Sequence, residues 1–157
     1  MKKQIISQFQ ASLDMLDFAI TNCPEKLWKD DGAQNPYWLI AYHALFFTHL
    51  YLQENLEGFS PWEKHIEGYQ GMKFDKGKFY TKEEMLVYLA LCKEEVIEKI
   101  DSTDLNIQNS GFHWLPFDKI ELQFYNIRHI QHHAGQLYDR LRTAGIKGKW
   151  VAQGSNN

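Results

Sequence analysis

Four segments of this 157-residue chain repeat apolar residues at the three- and four-residue spacing of an α-helix, and no segment of similar length alternates as a strand does. Each such helix must bury one face, and helices without a sheet must pack on one another. The pattern therefore predicts an all-α fold, a four-helix bundle. The predicted helices cover about residues 3–21, 36–57, 81–100 and 116–145.

Local signals mark the ends of these helices. Asn35 is the expected cap of the second helix, which we expect to run to Glu57. Thr81 and Glu84 have the spacing of a capping box at the start of the third helix. Gly145 can adopt the left-handed backbone that commonly ends a helix, and it is the predicted end of the fourth.

The connection between the second and third helices, residues 58–80, is much longer than the loops that join antiparallel neighbours in bundles. An extended chain covers about 3.3 Å per residue, so this connection is long enough to cross the whole bundle. The second and third helices then run parallel, which gives an up-down-down-up order. We expect a single domain over residues 1–150 and a disordered tail over residues 151–157.

Charge and composition argue against several classes of partner. The net charge is -3 and no basic run is longer than Lys2-Lys3, so we expect no nucleic-acid partner. The most apolar window, residues 37–52, is shorter than the roughly 20 residues that a membrane span needs, so we expect no membrane partner. Cys23 and Cys92 show no disulfide or metal-binding spacing, which is typical of reduced thiols in a cytoplasmic protein.

Three of the seven histidines are close together in the fourth predicted helix, as His129, His132 and His133. His129 and His133 are one helical turn apart, so their rings can share a metal ion. At about 100° per residue, His133 lies about 65° from the centre of the apolar face, His129 about 105° and His132 about 165°. We therefore expect His129 and His133 at the border of the core and His132 in solvent.

A third ligand is expected from the second helix, where His43 belongs to an apolar stripe. Taken alone, His43 is better explained as a buried histidine bonded to a backbone carbonyl or a tyrosine hydroxyl, but the histidine pair elsewhere favours a ligand. His49 lies about 120° from that stripe and is left out of the site. His65 and His113 fall in loops, where exposed rings are expected. His113 is the alternative ligand if His43 is only structural.

Two helices carry a resemblance to a known family. The run Arg128-His129-Ile130-Gln131-His132-His133-Ala134-Gly135-Gln136-Leu137, followed by Leu141-Arg142 and Gly145, resembles the DinB/YfiT-like superfamily of metal-dependent four-helix-bundle proteins. The run Ala41-Tyr42-His43-Ala44-Leu45 is similar to the second helix of that family. The resemblance covers the whole chain in architecture and is specific in these two helices. It implies a metal held by His43, His129 and His133, and a homodimer.

The resemblance also implies a bacterial enzyme that depends on a divalent metal, in a family with thiol-dependent S-transferases and a thiol-dependent isomerase. Three imidazoles suit zinc, nickel, iron or copper, and an open site would acidify a bound water or thiol. We therefore expect a small-molecule substrate and, as the reaction, S-transfer from a low-molecular-weight thiol or metal-assisted hydrolysis. The alternative is a non-catalytic dimeric bundle that binds metal or serves in stress.

No catalytic acid or base is assigned from the sequence. Five polar side chains lie on the flank of the fourth helix nearest the histidine pair, and each is more simply explained as solvated surface: Asp118, Glu121, Tyr125, Gln136 and Arg140. Three tryptophans are candidate borders of a substrate pocket, although tryptophan in a bundle is usually core or packed loop: Trp38, Trp114 and Trp150.

Overall fold

The computed structural model describes residues 1–32 and 34–154, and every regular element within these ranges is helical. The prediction of an all-α chain is therefore confirmed. In the same ranges no helix is both long enough and apolar enough to cross a membrane. The elements are α1 (Lys2–Asn22), α2 (Glu25–Trp28), α3 (Tyr37–Leu52), a 3₁₀ turn (Tyr69–Gly71), α4 (Lys82–Ser102) and α5 (Lys119–Thr143).

Helix α3 lies between α4 and α5, and both of these helices also pack against α1. Because α3 is apolar nearly all the way round, it can be covered on several sides at once. Fourteen of its 16 residues are buried, and the two that remain partly exposed are His43 and Phe47. Within the described residues, α3 is therefore left partly uncovered at these two side chains.

The ends of α3 differ from their prediction. The helix begins at Tyr37, and Asn35 makes no side-chain capping bond to it. It ends at Leu52 rather than Glu57, because the next residue is extended and the Asn55 side chain then accepts a backbone hydrogen bond within a turn. The predicted cap and the predicted end were therefore both wrong.

The ends of α4 and α5 follow local chemistry. The capping box at Thr81 is confirmed, since its hydroxyl accepts from the backbone of the third helical residue and that residue's carboxylate accepts in return. Asp118 caps α5, which begins three residues after the predicted Pro116. Gly145 has a φ of 82°, and it ends α5 as predicted. The single turn α2 is too short to show a period, so the sequence did not predict it.

The long connection between α3 and α4 packs down on the helices. Its 3₁₀ turn lies against α3. Buried aromatic side chains of the connection meet those of α3 and α4 at ring-centroid distances of 4.6 to 6.5 Å. This group, called here the crossover cluster, consists of Trp38, Tyr42, Trp62, Tyr69, Tyr80 and Tyr88.

The segment after α5 lies against α1 as far as it is described. The Gly154 backbone N–H donates to the carbonyl of Ser7, and the Gln8 side chain donates to the carbonyl of Ala152. Residues 151–154 of the predicted disordered tail are therefore placed on the surface of the first helix. Residues 155–157 lie outside the described residues.

Candidate metal site

Three histidines from two helices meet between α3 and α5. His43 is in the middle of α3, while His129 and His133 are one turn apart on α5. The His129 Nε2 atom is 3.2 Å from Nε2 of His43 and 3.1 Å from Nε2 of His133. One nitrogen from each ring lies within 4.8 Å of the others, close enough to bind a single metal ion.

The outer nitrogens of two rings are fixed by hydrogen bonds. The Nδ1–H of His43 donates to the backbone carbonyl of Gln70 at 2.7 Å. The Nδ1–H of His133 donates to the side-chain Oε1 of Gln136 at 2.8 Å. Since a neutral imidazole carries one hydrogen, both rings turn an Nε2 lone pair toward the centre of the group. Such bonds to the far nitrogen are typical of metal-ligating histidines.

The third ring cannot satisfy both of these lone pairs by itself. A hydrogen on His129 Nε2 reaches the lone pair of either His43 or His133, but not both at once. If the hydrogen is on Nδ1 instead, three lone pairs converge, and that Nδ1 has no hydrogen-bond partner among the described residues. A cation at the centre would accept all three lone pairs together.

The spacing of the three nitrogens also fits an ion. Bonds of about 2.0–2.1 Å in tetrahedral directions separate two ligand nitrogens by about 3.3–3.4 Å. The two Nε2 separations of 3.1 and 3.2 Å are close to that value. The residues present therefore fit a divalent metal held by nitrogen, with the remaining coordination positions left to other ligands.

Burial keeps these imidazoles neutral, the form that binds metal. Burial, together with the neighbouring histidines, lowers the pKa of His129 to about 3. Burial lowers the pKa of His133 to about 4 against the opposing effect of its bond to Gln136. The pKa of His43 is also lowered by burial, partly offset by the carbonyl of Gln70.

The structure separates the other histidines from this group. His132 is exposed, so burial on α5 decreases from His133 to His129 to His132, in the order of the predicted angles. His113 is exposed in its loop, and it is not among the three clustered histidines. His49 is buried and lies 3.2 Å from the hydroxyl of Tyr88. The expectation of an exposed His65 was wrong, because its Nδ1 accepts a bond of 2.5 Å from the Tyr42 hydroxyl.

Of the five polar residues on the flank of α5, Gln136 and Tyr125 contact the cluster. Gln136 bonds His133, and the Tyr125 ring stacks beside His129 with centroids 6.4 Å apart. Asp118 caps the helix, Glu121 donates its backbone N–H to that cap, and Arg140 bonds the carbonyl of Asn35. The sequence had no signal for the carbonyl of Gln70, because any residue supplies one.

The three tryptophans have different surroundings. Trp38 is buried in the crossover cluster. Trp114 is 41% exposed, and its Nε1–H donates to the Tyr51 hydroxyl at 3.4 Å. Trp150 is 76% exposed, so its expected packing in a loop was wrong. Among the three, Trp114 remains the candidate for contact with a substrate.

Both cysteines are buried free thiols. Burial raises the pKa of Cys23 to about 12, and it also raises the pKa of Cys92. A protonated buried thiol is a poor nucleophile and a poor metal ligand. Among the described residues, the three histidines are therefore the side chains that lie close enough together to bind a metal.

Comparisons with known protein families, with curated proteins and with solved structures found no match. The three converging nitrogens are the feature of the described residues that points most directly to chemistry.

Proposed function

We propose that this chain is a divalent-metal-dependent enzyme of the DinB/YfiT-like superfamily, with His43, His129 and His133 as the metal ligands. The observation that carries the proposal is the convergence of three Nε2 atoms whose lone pairs no hydrogen arrangement within the group can satisfy. The donor set is all nitrogen, so zinc, nickel and iron are the candidate ions.

The proposal includes the family's architecture, a four-helix bundle in up-down-down-up order. Two observations support it. Helices α1 and α3 each pack against both α4 and α5. The connection between α3 and α4 is long enough to return the chain to the end where α3 began, which parallel neighbours require. A homodimer and a cytoplasmic location are proposed on the resemblance alone.

The proposed reaction is S-transfer from a low-molecular-weight thiol to a small-molecule substrate, or metal-assisted hydrolysis. A divalent ion with open positions would supply the acidification of a bound water or thiol near neutral pH. The protein's part is to hold three imidazoles neutral by burial and to fix two of them through Gln70 and Gln136. The clustered group contains no carboxylate, so a proton would be exchanged with substrate or solvent.

Metal content and turnover of matched variants test the proposal. We expect about one ion per chain in the wild type and a loss of that ion in His43→Ala, His129→Ala and His133→Ala. His132→Ala is the control, because His132 is exposed on the same helix and next in sequence to a proposed ligand. Thiol conjugation and ester or amide hydrolysis, assayed with zinc, nickel and iron, should show turnover that is lost with His133.

Two results would contradict the proposal in different ways. If metal content near one per chain survives the triple histidine change, the ion binds elsewhere. If the triad holds the ion but no assay shows turnover, the alternative is favoured, a non-catalytic dimeric bundle that binds metal or serves in stress. The absence of a carboxylate from the clustered group is the observation that keeps this alternative in the test.

A further inference from the structure

A row of aromatic side chains leads away from the three histidines along the junction of α3 and α5. It consists of Phe47, Tyr51, Tyr125 and Trp114, and it is called here the aromatic row. Phe47 and Tyr51 have centroids 5.6 Å apart, and Tyr51 and Tyr125 have centroids 5.5 Å apart. The Trp114 indole bonds the Tyr51 hydroxyl at the far end. The row is therefore continuous from α3 and α5 to the loop that precedes α5.

The row begins at the proposed ligands themselves. The Phe47 ring is 4.7 Å from the ring of His43 and 5.5 Å from that of His129. Phe47 follows His43 by one turn on α3, and Tyr125 precedes His129 by one turn on α5. Both aromatic residues therefore lie toward the same end of the cluster. The outer nitrogens of His43 and His133 instead meet the polar groups of Gln70 and Gln136.

The aromatic row is more exposed to solvent than side chains packed in a protein core. Tyr51 is buried and forms its base, while Phe47 and Tyr125 are partly exposed and Trp114 is 41% exposed. Phe47 and His43 are also the two residues of α3 that neighbouring elements leave uncovered. The apolar surface and the proposed ion site are thus open at the same place on the molecule.

We propose that the aromatic row holds the planar aromatic group of a small molecule whose donor atom binds the ion. The inference rests on the proposed function for the ion, and it adds the class of ligand. A group attached to the donor atom must lie beside the imidazoles, where Phe47 from α3 and Tyr125 from α5 provide apolar contacts. Aromatic rings prefer tilted or offset contacts at about 4.5–7 Å, the separations already present within the row.

Cobalt(II)-loaded protein provides the test, because cobalt–thiolate absorption reports when a thiol binds the ion. Phenylmethanethiol and ethanethiol offer the same donor with and without a ring. We expect phenylmethanethiol to bind the wild type at least about tenfold more tightly. Tyr125→Ala should remove most of that preference while ethanethiol affinity stays unchanged, and Tyr125→Phe should restore it because the ring is retained.

A matched control lies next in the sequence. Phe124 is 53% exposed on the same helix, and Phe124→Ala should leave both thiol affinities unchanged. A longer biphenyl thiol extends the test to the far end of the row. Trp114→Ala should weaken the biphenyl thiol and not the phenyl thiol, while Trp150→Ala, an exposed tryptophan outside the row, should weaken neither.

The results separate this inference from the proposal on which it rests. If cobalt does not bind at the histidines, the proposed function fails, and the ligand has no ion for its donor atom to bind. If cobalt binds there but the wild type has no preference for the aromatic thiol, the inference fails and the proposed function stands. A Tyr125→Ala variant that weakens both thiols equally also overturns it, because the residue would then act on the ion site rather than on the ring.

Discussion

The two sides of α3 bury histidines to the same extent and use them differently. His49, toward α4, and His133, which faces α3 from α5, are each 8% exposed. Burial lowers the pKa of both, and each has one hydrogen bond at Nδ1. The difference is at the other nitrogen, since Nε2 of His133 meets the nitrogen of another histidine at 3.1 Å. Burial and a lowered pKa are therefore common to both histidines, and the converging nitrogens are what distinguish the proposed metal ligand from the other.

The side toward α4 is closed by the crossover cluster. The rings of Trp62 and Tyr88 stack 4.6 Å apart and nearly parallel. The Tyr42 hydroxyl donates to His65, and the Tyr80 hydroxyl donates to the carbonyl of Lys64. Three of the four tyrosine hydroxyls in this cluster are paired within the protein, while that of Tyr69 has no partner among the described residues. The side toward α5 leaves His43 and Phe47 partly exposed.

Acid should produce the largest change in the free energy of unfolding. Bound metal should reduce only the part of that change that comes from the side of α3 toward α5. In the unfolded chain each histidine takes up a proton near pH 6.5. In the folded chain His129 stays neutral down to about pH 3 and His133 down to about pH 4. As pH falls below 6.5 the unfolded state alone gains protons, so stability falls by about 1.4 kcal/mol per pH unit for each such imidazole. Denaturant unfolding of metal-free protein between pH 7 and 4 measures the loss.

In the wild type, saturating zinc should shift this acid-induced loss of stability to lower pH, because the ion binds only deprotonated imidazoles. His129→Ala should show no such shift. The contribution of His49, whose pKa is also lowered, should remain in both proteins because it is on the other side of α3. An equal shift in the variant would mean that zinc acts outside the three histidines.

The next effect in size is the removal of Tyr88 from the crossover cluster. Tyr88 is fully buried, so Tyr88→Ala should cost about 3–5 kcal/mol of unfolding free energy through the cavity that it leaves. Val87→Ala, at the exposed neighbouring position, should cost less than about 0.5 kcal/mol. Chemical denaturation checks both values. Metal affinity should be unchanged in Tyr88→Ala, and a large loss would show that the two sides of α3 are coupled.

The smallest effect should come from Gln136, which is exposed but bonds the Nδ1 of His133. Gln136→Ala should lower metal affinity about 10- to 100-fold, since the ring loses the bond that fixes its orientation. The unfolding free energy of metal-free protein should change by less than about 0.5 kcal/mol. Competition with a chromogenic chelator measures the affinity. Gln131→Ala, on the same helix and in contact with Met15, should leave it unaltered.

Local signals in the sequence were sufficient for most of the helical framework. The apolar period located four helices, and the capping box at Thr81 and the left-handed Gly145 marked two of their ends correctly. Asn35 was wrong as the cap because Pro36 occupies the cap position of α3. Glu57 was wrong as the end of α3, because Asn55 competes with the helix for backbone hydrogen bonds within a turn. The spacing of apolar residues gives no information about this competition for backbone hydrogen bonds.

Residue spacings within a helical turn were enough to predict a helical chain and a shared face for His129 and His133. The tertiary structure alone decided that His43 lies 3.2 Å from His129, that a carbonyl from the 3₁₀ turn fixes His43, and that His65 is bonded to Tyr42. These contacts join residues of different elements. Their distances depend on how α3 packs against α5 and how the long connection folds back, and no local spacing encodes either.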